Sequence, residues 1–205
     1  MTIGMKMWIE FISFAEASGR LKSIYQRVAG PHGTVDNILQ AHSLRPHTLT
    51  GHMALYKSVL HHSGNVQPIW FLETVGVFVS HLNGCEYCFE HHLAGLKRHV
   101  DTSRADEIVS ALRAGEFESV FTISEASVLR YAEQLTTAPS QVTEKLLNDM
   151  RTSGLTDGEI LEINQVAAYF AYANRTVSGL GVTTDGDELG LSPSSTEDPD
   201  GWGHS

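Results

Sequence analysis

The sequence lacks any apolar run long enough to cross a bilayer, for which roughly 20 consecutive residues are needed. Its start, MTIGMKMWIEFISF, has neither a basic leader before a long apolar stretch nor a small-residue cleavage site, so we expect a cytoplasmic protein. Positive charge is also scarce, because 14 Lys and Arg stand against 24 Asp and Glu in 205 residues, a formal net charge of −10. Such a chain offers no basic face to a phosphate backbone or an anionic lipid surface. We therefore expect neither nucleic-acid binding nor membrane binding.

Cysteine is nearly absent as well. The two cysteines of the chain, Cys85 and Cys88, both lie in the segment HLNGCEYCFEHH. Two cysteines cannot form the disulfide framework of a small secreted domain, and in a cytosolic chain a C-x-x-C pair is more often catalytic or metal-binding. Taken alone, the pair has four interpretations: a redox pair, half of a metal site, a disulfide without a function, or two buried apolar residues.

Strand patterns are confined to the short run MWIEFIS near the start. Elsewhere apolar residues recur at spacings of three and four, which predicts an all-α fold, a helical bundle. With 41% hydrophobic residues, the chain can bury a proper core. We divide it into an N-terminal arm with a first helix (1–34), a helical domain (35–182) and a C-terminal tail (183–205). The tail is rich in Gly, Ser, Pro and acids, so we expect it to be loosely ordered and removable without loss of folding or thiol chemistry.

Helix boundaries are well marked in several places. Pro46 suits the first turn of a helix, and Thr156 with Glu159 matches a capping box at the start of the last long helix. Predicted helices cover residues 16–28, a segment from about 36, 46–63, 66–82, a cysteine-containing segment ending near 98, 103–114, 124–135, 140–152 and 156–177. Aligning Glu73 with Glu162 superimposes two apolar helices, which suggests an internal structural duplication whose second copy lacks the cysteines.

The segment VQPIWFLETVGVFVSHL is apolar on nearly every side. A helix with so little polar surface belongs in the interior or at a subunit interface. Because this surface exceeds what one layer of a bundle usually covers, we predict a homo-oligomer. The apolar side chains that support this prediction are Trp70, Phe71, Val75, Phe78 and Val79.

Glu73 interrupts this apolar segment. A buried acid is costly unless it is paired or functional, and we expect its partner to be an imidazole or a thiol that the fold brings close. His81 lies on a nearby side of the same helix and is a candidate for the same network. The alternative is that Glu73 caps a helix or forms an ion pair at an interface.

Cys85 and Cys88 are placed for ionisation. With Asn83 as a helix cap, both sulfurs lie in the first turn, where unpaired N–H groups and the helix dipole favour a thiolate. His92 stands four residues after Cys88, on the same helix face, and can accept the thiol proton. Two cysteines three residues apart can also close into a disulfide after a small adjustment, as a peroxide-reducing or disulfide-exchanging site requires.

The helix dipole and the position of His92 favour different sulfurs as the attacking one. Position along the helix favours Cys85, which is nearer the N-terminus and its dipole. Helix geometry favours Cys88, because His92 follows it by one turn. A dipole is worth typically 0.3–1 kcal/mol to both thiols, whereas a specific base contributes about 10²–10⁴-fold to the one it touches. We therefore predict that Cys88 attacks.

These residues also carry a resemblance to a known family. The spacing resembles the E-x11-C-x-x-C-x3-H signature of the AhpD-like alkylhydroperoxidases, in the carboxymuconolactone decarboxylase superfamily. In this sequence the signature begins at Glu73, continues with Cys85 and Cys88, and ends at His92. The context NGCEYCFEHH is most similar to the branch called peroxidase-related enzymes. The resemblance covers roughly residues 40–185.

The resemblance implies an AhpD-like helical fold, assembled into homo-oligomers, that reduces hydroperoxides. Cys88 would be the attacking thiol and Cys85 the resolving one, with Glu73 and His92 as the proton relay. Tyr87 stands where well-known members of the family have a histidine. It is included among the candidate catalytic residues because it can still donate a hydrogen bond, but a phenol does not serve as a base at neutral pH, so we expect a thinner proton relay and weak peroxidase activity. The electron donor would be a dithiol, as in relatives that use lipoyl-bearing proteins, and no cofactor is predicted.

Other functions are compatible with the same residues. Zinc needs four ligands, and two thiols with His91 and His92 in one helix turn do not readily give a tetrahedron, so no metal is predicted. The other histidines are expected mostly at the surface or at helix ends. The chain could also be a redox-responsive or structural oligomer without turnover. Superfamily members without the cysteine pair decarboxylate a lactone, so the fold alone does not assign the reaction.

Overall fold

A computed structural model describes residues 6–198 and residue 202, and over these residues the all-α prediction is confirmed. The described helices are α1 (Gly19–Val28), α2 (Asn37–Gln40), α3 (Pro46–Leu60), α4 (Ile69–Leu82), α5 (Glu86–Leu96), α6 (Thr102–Ala114), α7 (Ile123–Thr137), α8 (Glu144–Thr152) and α9 (Asp157–Leu180). Short 3₁₀ turns at Phe117–Ser119 and Pro139–Gln141 flank α7. None of the helices in the described part of the chain is long and apolar enough to span a membrane.

Local sequence explains most of the helix boundaries. Thr156 and Glu159 form the predicted capping box at the start of α9, and Thr122 with Glu125 forms a second one at the start of α7. Pro46 occupies the first turn of α3, as expected. The strand-like run near the start forms no strand in residues 7–13, since no strand lies beside it among residues 6–198 and 202.

Helix α4 is the central element of the bundle, and α5, α7 and α9 pack around it. Phe71, Val75, Phe78 and Val79 are therefore buried within a single chain. Trp70, the fifth side chain on which the prediction was based, is half-buried, so most of the apolar surface that suggested a subunit interface is covered by the protein's own helices. The homo-oligomer stays a prediction, but these side chains no longer support it.

The C-terminal residues 183–198, for which composition predicts a loosely ordered tail, instead run back across the helices. Asp187 accepts hydrogen bonds from the backbone N–H of Asn37, at 3.0 Å from each carboxylate oxygen. Thr196 accepts a hydrogen bond of 2.8 Å from the Nζ of Lys57, a lysine buried in α3. Trp202 is buried, with the Lys57 ammonium 5.6 Å from its ring centroid. These contacts tie the C-terminal residues to α2 and α3.

Candidate active site

The two cysteines lie at the junction between α4 and α5. Gly84, with a φ of 65°, turns the chain between the two helices, and Cys85 is the N-cap residue of α5. The sequence suggested Asn83 as this N-cap, but Asn83 does not occupy that position. It ends α4, and its side chain donates to the amide oxygen of Asn174 at 2.9 Å. Both cysteines are free thiols and both are buried, Cys85 at the helix start and Cys88 in the first turn.

The environment of the pair lowers the pKa of one thiol and raises that of the other. A hydrogen bond from Cys88 is the main cause that lowers the pKa of Cys85 from 9.0 to about 7, and it outweighs the effect of burial. Ser178 and Asn174 add smaller hydrogen bonds to the same sulfur. The same S–H···S contact, followed by burial, raises the pKa of Cys88 well above its ordinary value. Of the two thiols, Cys85 is therefore the one that ionises first, with a midpoint near neutral pH, and its thiolate accepts a hydrogen bond from the S–H of Cys88.

We expect this division to be visible in a thiolate titration followed by ultraviolet absorbance. One thiolate should appear with a midpoint near the pKa of about 7 for Cys85, and its fraction should grow as the pH rises. In Cys88→Ala the S–H donor is gone, so the midpoint should move up towards the ordinary value of 9.0. A midpoint that stays near 7 in this variant would assign the shift to Asn174, Ser178 or the helix start instead.

Glu73 and His92 form the second part of the site. The Nδ1 of His92 lies 2.7 Å from Oε2 of Glu73, and the Glu73 side chain is only 2% exposed. The buried acid of α4 therefore has an imidazole partner within the chain, not an ion pair at an interface. Gly95 makes room for this contact, because a Cβ there would lie 3.2 Å from the Glu73 carboxylate.

The imidazole of His92 is also held by packing. The ring of Phe170, from α9, meets it edge to face with centroids 4.5 Å apart. Phe170 itself needs Gly76, since a Cβ at that position would lie 2.2 Å from the Phe170 ring. A hydrogen-bonded carboxylate on one side and an aromatic ring on another fix the orientation of His92.

A cavity of about 70 Å³ adjoins these groups. Cys88, Glu73, His92 and Tyr87 line it, whereas Cys85 does not. Cys85 is instead surrounded by an apolar cluster that includes Met7, Ala41, Val177 and Val182. A small molecule in the cavity therefore meets the sulfur of Cys88 first.

Sequence reasoning missed several residues around this cavity. His52 and His61 were expected at the surface or at helix ends but are buried, and burial lowers the pKa of His61 to about 4 and that of His52 to about 3. The Nε2 of His61 lies 3.0 Å from the hydroxyl of Tyr56, which lines the cavity. His52 lies in α3 and His61 directly follows it, and nothing in the sequence around either residue indicates that it is buried. His81, a candidate for the Glu73 network, is instead exposed and lies against Phe89.

Tyr87 acts as an anchor in this structure. Its hydroxyl donates a hydrogen bond of 2.7 Å to Asp187 and accepts one of 3.1 Å from the backbone N–H of Ile38. Burial and the neighbouring carboxylate raise the pKa of Tyr87 well above its ordinary value, so it stays a neutral phenol. The Nε2 of His91 also approaches Asp187, at 3.3 Å. The residue that departs from the family motif thus binds the C-terminal segment.

Asp187 is the unexpected member of the site, with a side chain only 1% exposed. Replacing it with alanine leaves the Tyr87 hydroxyl and the Asn37 N–H without their acceptor. We expect Asp187→Ala to lower the free energy of unfolding by about 1–3 kcal/mol for each buried donor left unpaired. Urea denaturation measures this loss, with Asp185→Ala, an exposed acid two residues away, as the control. Equal, small losses in both variants would mean that the segment is not anchored through Asp187.

Within residues 6–198 and 202, no three His, Cys, Asp or Glu side chains converge to hold a metal ion. The contacts of His92 include a hydrogen bond with Glu73 and a ring contact with Phe170, which suit proton transfer.

No protein-family model and no curated protein matches the sequence. The structure, however, aligns over most of its length with solved structures. One is an uncharacterized peroxidase-related protein from Ralstonia eutropha JMP134, described as an alkylhydroperoxidase AhpD core, with a TM-score of 0.77 at 20% identity over 89% of this chain and 94% of that one. The chain has an AhpD-like fold. An uncharacterized peroxidase-related protein from Silicibacter sp. TM1040 aligns equally well, with a TM-score of 0.77 at 20% identity over 91% and 96% of the two chains.

The AhpD-like fold is shared with an enzyme of another activity. The debrominase Bmp8 aligns with a TM-score of 0.68 at 16% identity, over 89% of this chain and 93% of that one. A cysteine-to-alanine variant of Bmp8, in complex with 2,3,4-tribromopyrrole, aligns with a TM-score of 0.63. At these identities the likeness establishes the AhpD-like fold, and the reaction must be argued from the residues of the site.

Proposed function

We propose that the protein is a thiol-dependent peroxidase that reduces hydroperoxides through Cys88 and Cys85. The observation that carries this proposal is the position of Cys88, which lines the cavity while its thiol is hydrogen-bonded to a second sulfur of lowered pKa. A thiol that attacks a peroxide becomes a sulfenic acid, and a neighbouring thiolate converts that acid to a disulfide. Cys88 and Cys85 together provide the attacking thiol and the thiolate that forms the disulfide.

In the first step the Cys88 sulfur attacks one oxygen of the hydroperoxide. An S–O bond forms, the O–O bond breaks, and the alkoxide leaves as an alcohol. The Cys88 proton passes to the leaving oxygen through the Cys85 thiolate or through His92. Sulfur is oxidised by two electrons and the peroxide is reduced by two.

In the second step the Cys85 thiolate attacks the Cys88 sulfenic acid. The S–S bond forms, the S–O bond breaks, and the hydroxide leaves as water after taking a proton from solution. A dithiol donor then reduces the disulfide and becomes a disulfide itself, which closes the cycle. Proteins that carry a lipoyl group belong to this donor class and are the partners we propose first.

Glu73 and His92 handle protons in this scheme. The Glu73 carboxylate, 2.7 Å from Nδ1, fixes the tautomer and the orientation of the ring, so that Nε2 is the nitrogen available to the cavity. Tyr87 takes no part in proton transfer, because it is a buried phenol bound to Asp187. In this mechanism the catalytic residues are therefore Cys88, Cys85, His92 and Glu73.

Debromination, the activity in the name of Bmp8, is a weaker candidate for this site. A pyrrole ring with three bromine atoms is larger than benzene, and an apolar cavity that binds benzene measures about 150 Å³. The cavity beside Cys88 has about half that volume. A hydroperoxide is therefore the better match to the space available.

Steady-state turnover tests the proposal. The purified protein should consume hydrogen peroxide continuously when a dithiol such as dihydrolipoamide is supplied, and much more slowly with a monothiol. A protein that is oxidised once but is not recycled by any dithiol would instead be a redox-responsive protein without turnover. A protein whose cysteines do not react with hydroperoxides at all would contradict the proposal.

A further inference from the structure

The cavity beside Cys88 has a wall that does not come from the helical bundle. Gly190, Leu191, Ser192 and Pro193 line it, together with Trp202. We propose that this C-terminal segment sets the size of the substrate and restricts the site to hydrogen peroxide and other small hydroperoxides. The inference rests on the proposed function and adds to it a substrate class and the residues that select it.

The segment is held at both ends of the part that lines the cavity. Before it, Asp187 accepts hydrogen bonds from Tyr87 and from the Asn37 N–H. After it, Thr196 accepts a hydrogen bond from Lys57, and Thr196 N–H donates to the carbonyl oxygen of His61 at 3.3 Å. A wall fixed on both sides can exclude a bulky group, whereas a free tail would move aside.

Gly190 brings the wall into direct contact with the cysteine helix. Its φ is 78°, and a Cβ there would lie 2.8 Å from the carbonyl carbon of Ala94, so another residue would push the segment away from α5. The carbonyl oxygen of Gly190 accepts a hydrogen bond of 2.9 Å from Arg98. The close approach and the hydrogen bond together set the distance between the segment and Cys88's helix.

The volume decides which substrates fit. A cavity of about 70 Å³ holds hydrogen peroxide or a short-chain alkyl hydroperoxide. We expect it to exclude an aromatic ring, because the apolar cavity that admits benzene is about twice as large. The bulky hydroperoxides of aromatic or branched compounds should therefore react slowly unless the wall is cut back.

Two leucines in this segment supply a matched test. Leu191 lines the cavity, and its Cδ1 also lies against Gly30, where an added Cβ would be 2.8 Å away. Leu189 does not line the cavity and is 42% exposed. The substitution Leu191→Ala enlarges the cavity, whereas Leu189→Ala removes the same atoms from the surface of the same segment.

The experiment measures single-turnover oxidation of the full-length protein by hydrogen peroxide and by cumene hydroperoxide. In the parent and in Leu189→Ala, cumene hydroperoxide should be the slower of the two by at least about tenfold, the minimum that a pocket usually gains from excluding a hydrocarbon group. Leu191→Ala should raise the cumene hydroperoxide rate by about tenfold and leave the hydrogen peroxide rate within about twofold. Equal effects of Leu191→Ala on both peroxides, or no preference in the parent, would overturn the inference.

A second measurement separates this inference from the proposed function. In a Cys85→Ser background, Cys88 is alkylated with iodoacetamide and with a bulky pyrene maleimide. Leu191→Ala should raise the rate with the bulky reagent alone. If no protein reacts with any hydroperoxide, the proposed function is wrong, and the alkylation rates still report on the wall. Bulky and small reagents that respond equally to Leu191→Ala would show that the segment does not limit access.

Discussion

Replacing Cys88 with serine is expected to abolish the rapid reaction with hydroperoxides. Cys88 is the cysteine that lines the cavity, and a serine oxygen is a far weaker nucleophile than a thiol sulfur, so the O–O bond meets no effective nucleophile. Loss of the attacking residue costs on the order of 10⁶ in kcat in a well-studied hydrolase, and an effect of that class is expected here. Stopped-flow peroxide consumption, with folding checked by circular dichroism, measures the loss.

The partner variant distinguishes attack from resolution. In Cys85→Ser, Cys88 should still react once, and its sulfenic acid should persist long enough to be trapped by dimedone, because the resolving thiolate is missing. The reaction should also be slower than in the parent, since the Cys85 thiolate no longer accepts the Cys88 proton. A fast sulfenic acid on Cys85 in Cys88→Ser would reverse the assignment and make the thiol of lower pKa the attacking one.

The second large effect is expected from Glu73→Gln. Glutamine has the same shape and still reaches His92, but it removes the negative charge that holds and polarises the imidazole. We expect peroxide reduction to fall by about 10²-fold or more, the usual size of general acid–base assistance, while the fold is kept. The pH dependence of the rate should change as well, because proton transfer through His92 is impaired.

Glu162→Gln is the matched control. Glu162 occupies the position in α9 that aligns with Glu73 in the suggested duplication, and its carboxylate accepts hydrogen bonds from the backbone N–H groups of Val66 and Gln67 at 3.0 Å. It does not line the cavity, so its substitution should leave peroxide reduction unchanged. If Glu73→Gln leaves the pH–rate profile as it was in the parent, Glu73 has a structural role only.

The helices and the core of the site were predictable because they depend on short-range patterns. The spacing of apolar residues predicted α4 as a buried helix, and the single acid within it predicted a partner for Glu73. The distance of four residues between Cys88 and His92 placed both on one face of α5. The family resemblance supplied the link between Glu73 and His92, which are 19 residues apart in sequence but 2.7 Å apart in space.

The C-terminal wall was not predictable from the same patterns. Composition rich in Gly, Ser, Pro and acids is typical of a disordered arm, because it buries little apolar area. What holds the segment is a few specific polar contacts, chiefly Asp187 with Asn37, which lie 150 residues apart. Such pairs leave no local signal, and Tyr87 appeared only as a departure from the motif until its hydroxyl was seen to bind Asp187.

The homo-oligomer stays a prediction, but the apolar helix α4 no longer supports it, for a related reason. An apolar helix can be covered by other subunits or by the same chain, and periodicity does not distinguish the two. Here α5, α7 and α9 cover α4 within one chain. The buried histidines on α3 and after it were missed for the same reason, since burial of His52 and His61 depends on packing from α9 and the C-terminal segment, which lie far away in sequence.

Mass spectrometry of the protein after one equivalent of hydrogen peroxide tests the central claim most directly. The proposed chemistry predicts that each chain loses two hydrogen atoms and that fragmentation locates a single disulfide between Cys85 and Cys88. The reduced mass should return on addition of a dithiol. Two intact thiols after exposure to peroxide, or stable oxygen adducts on one cysteine without a disulfide, would contradict the account.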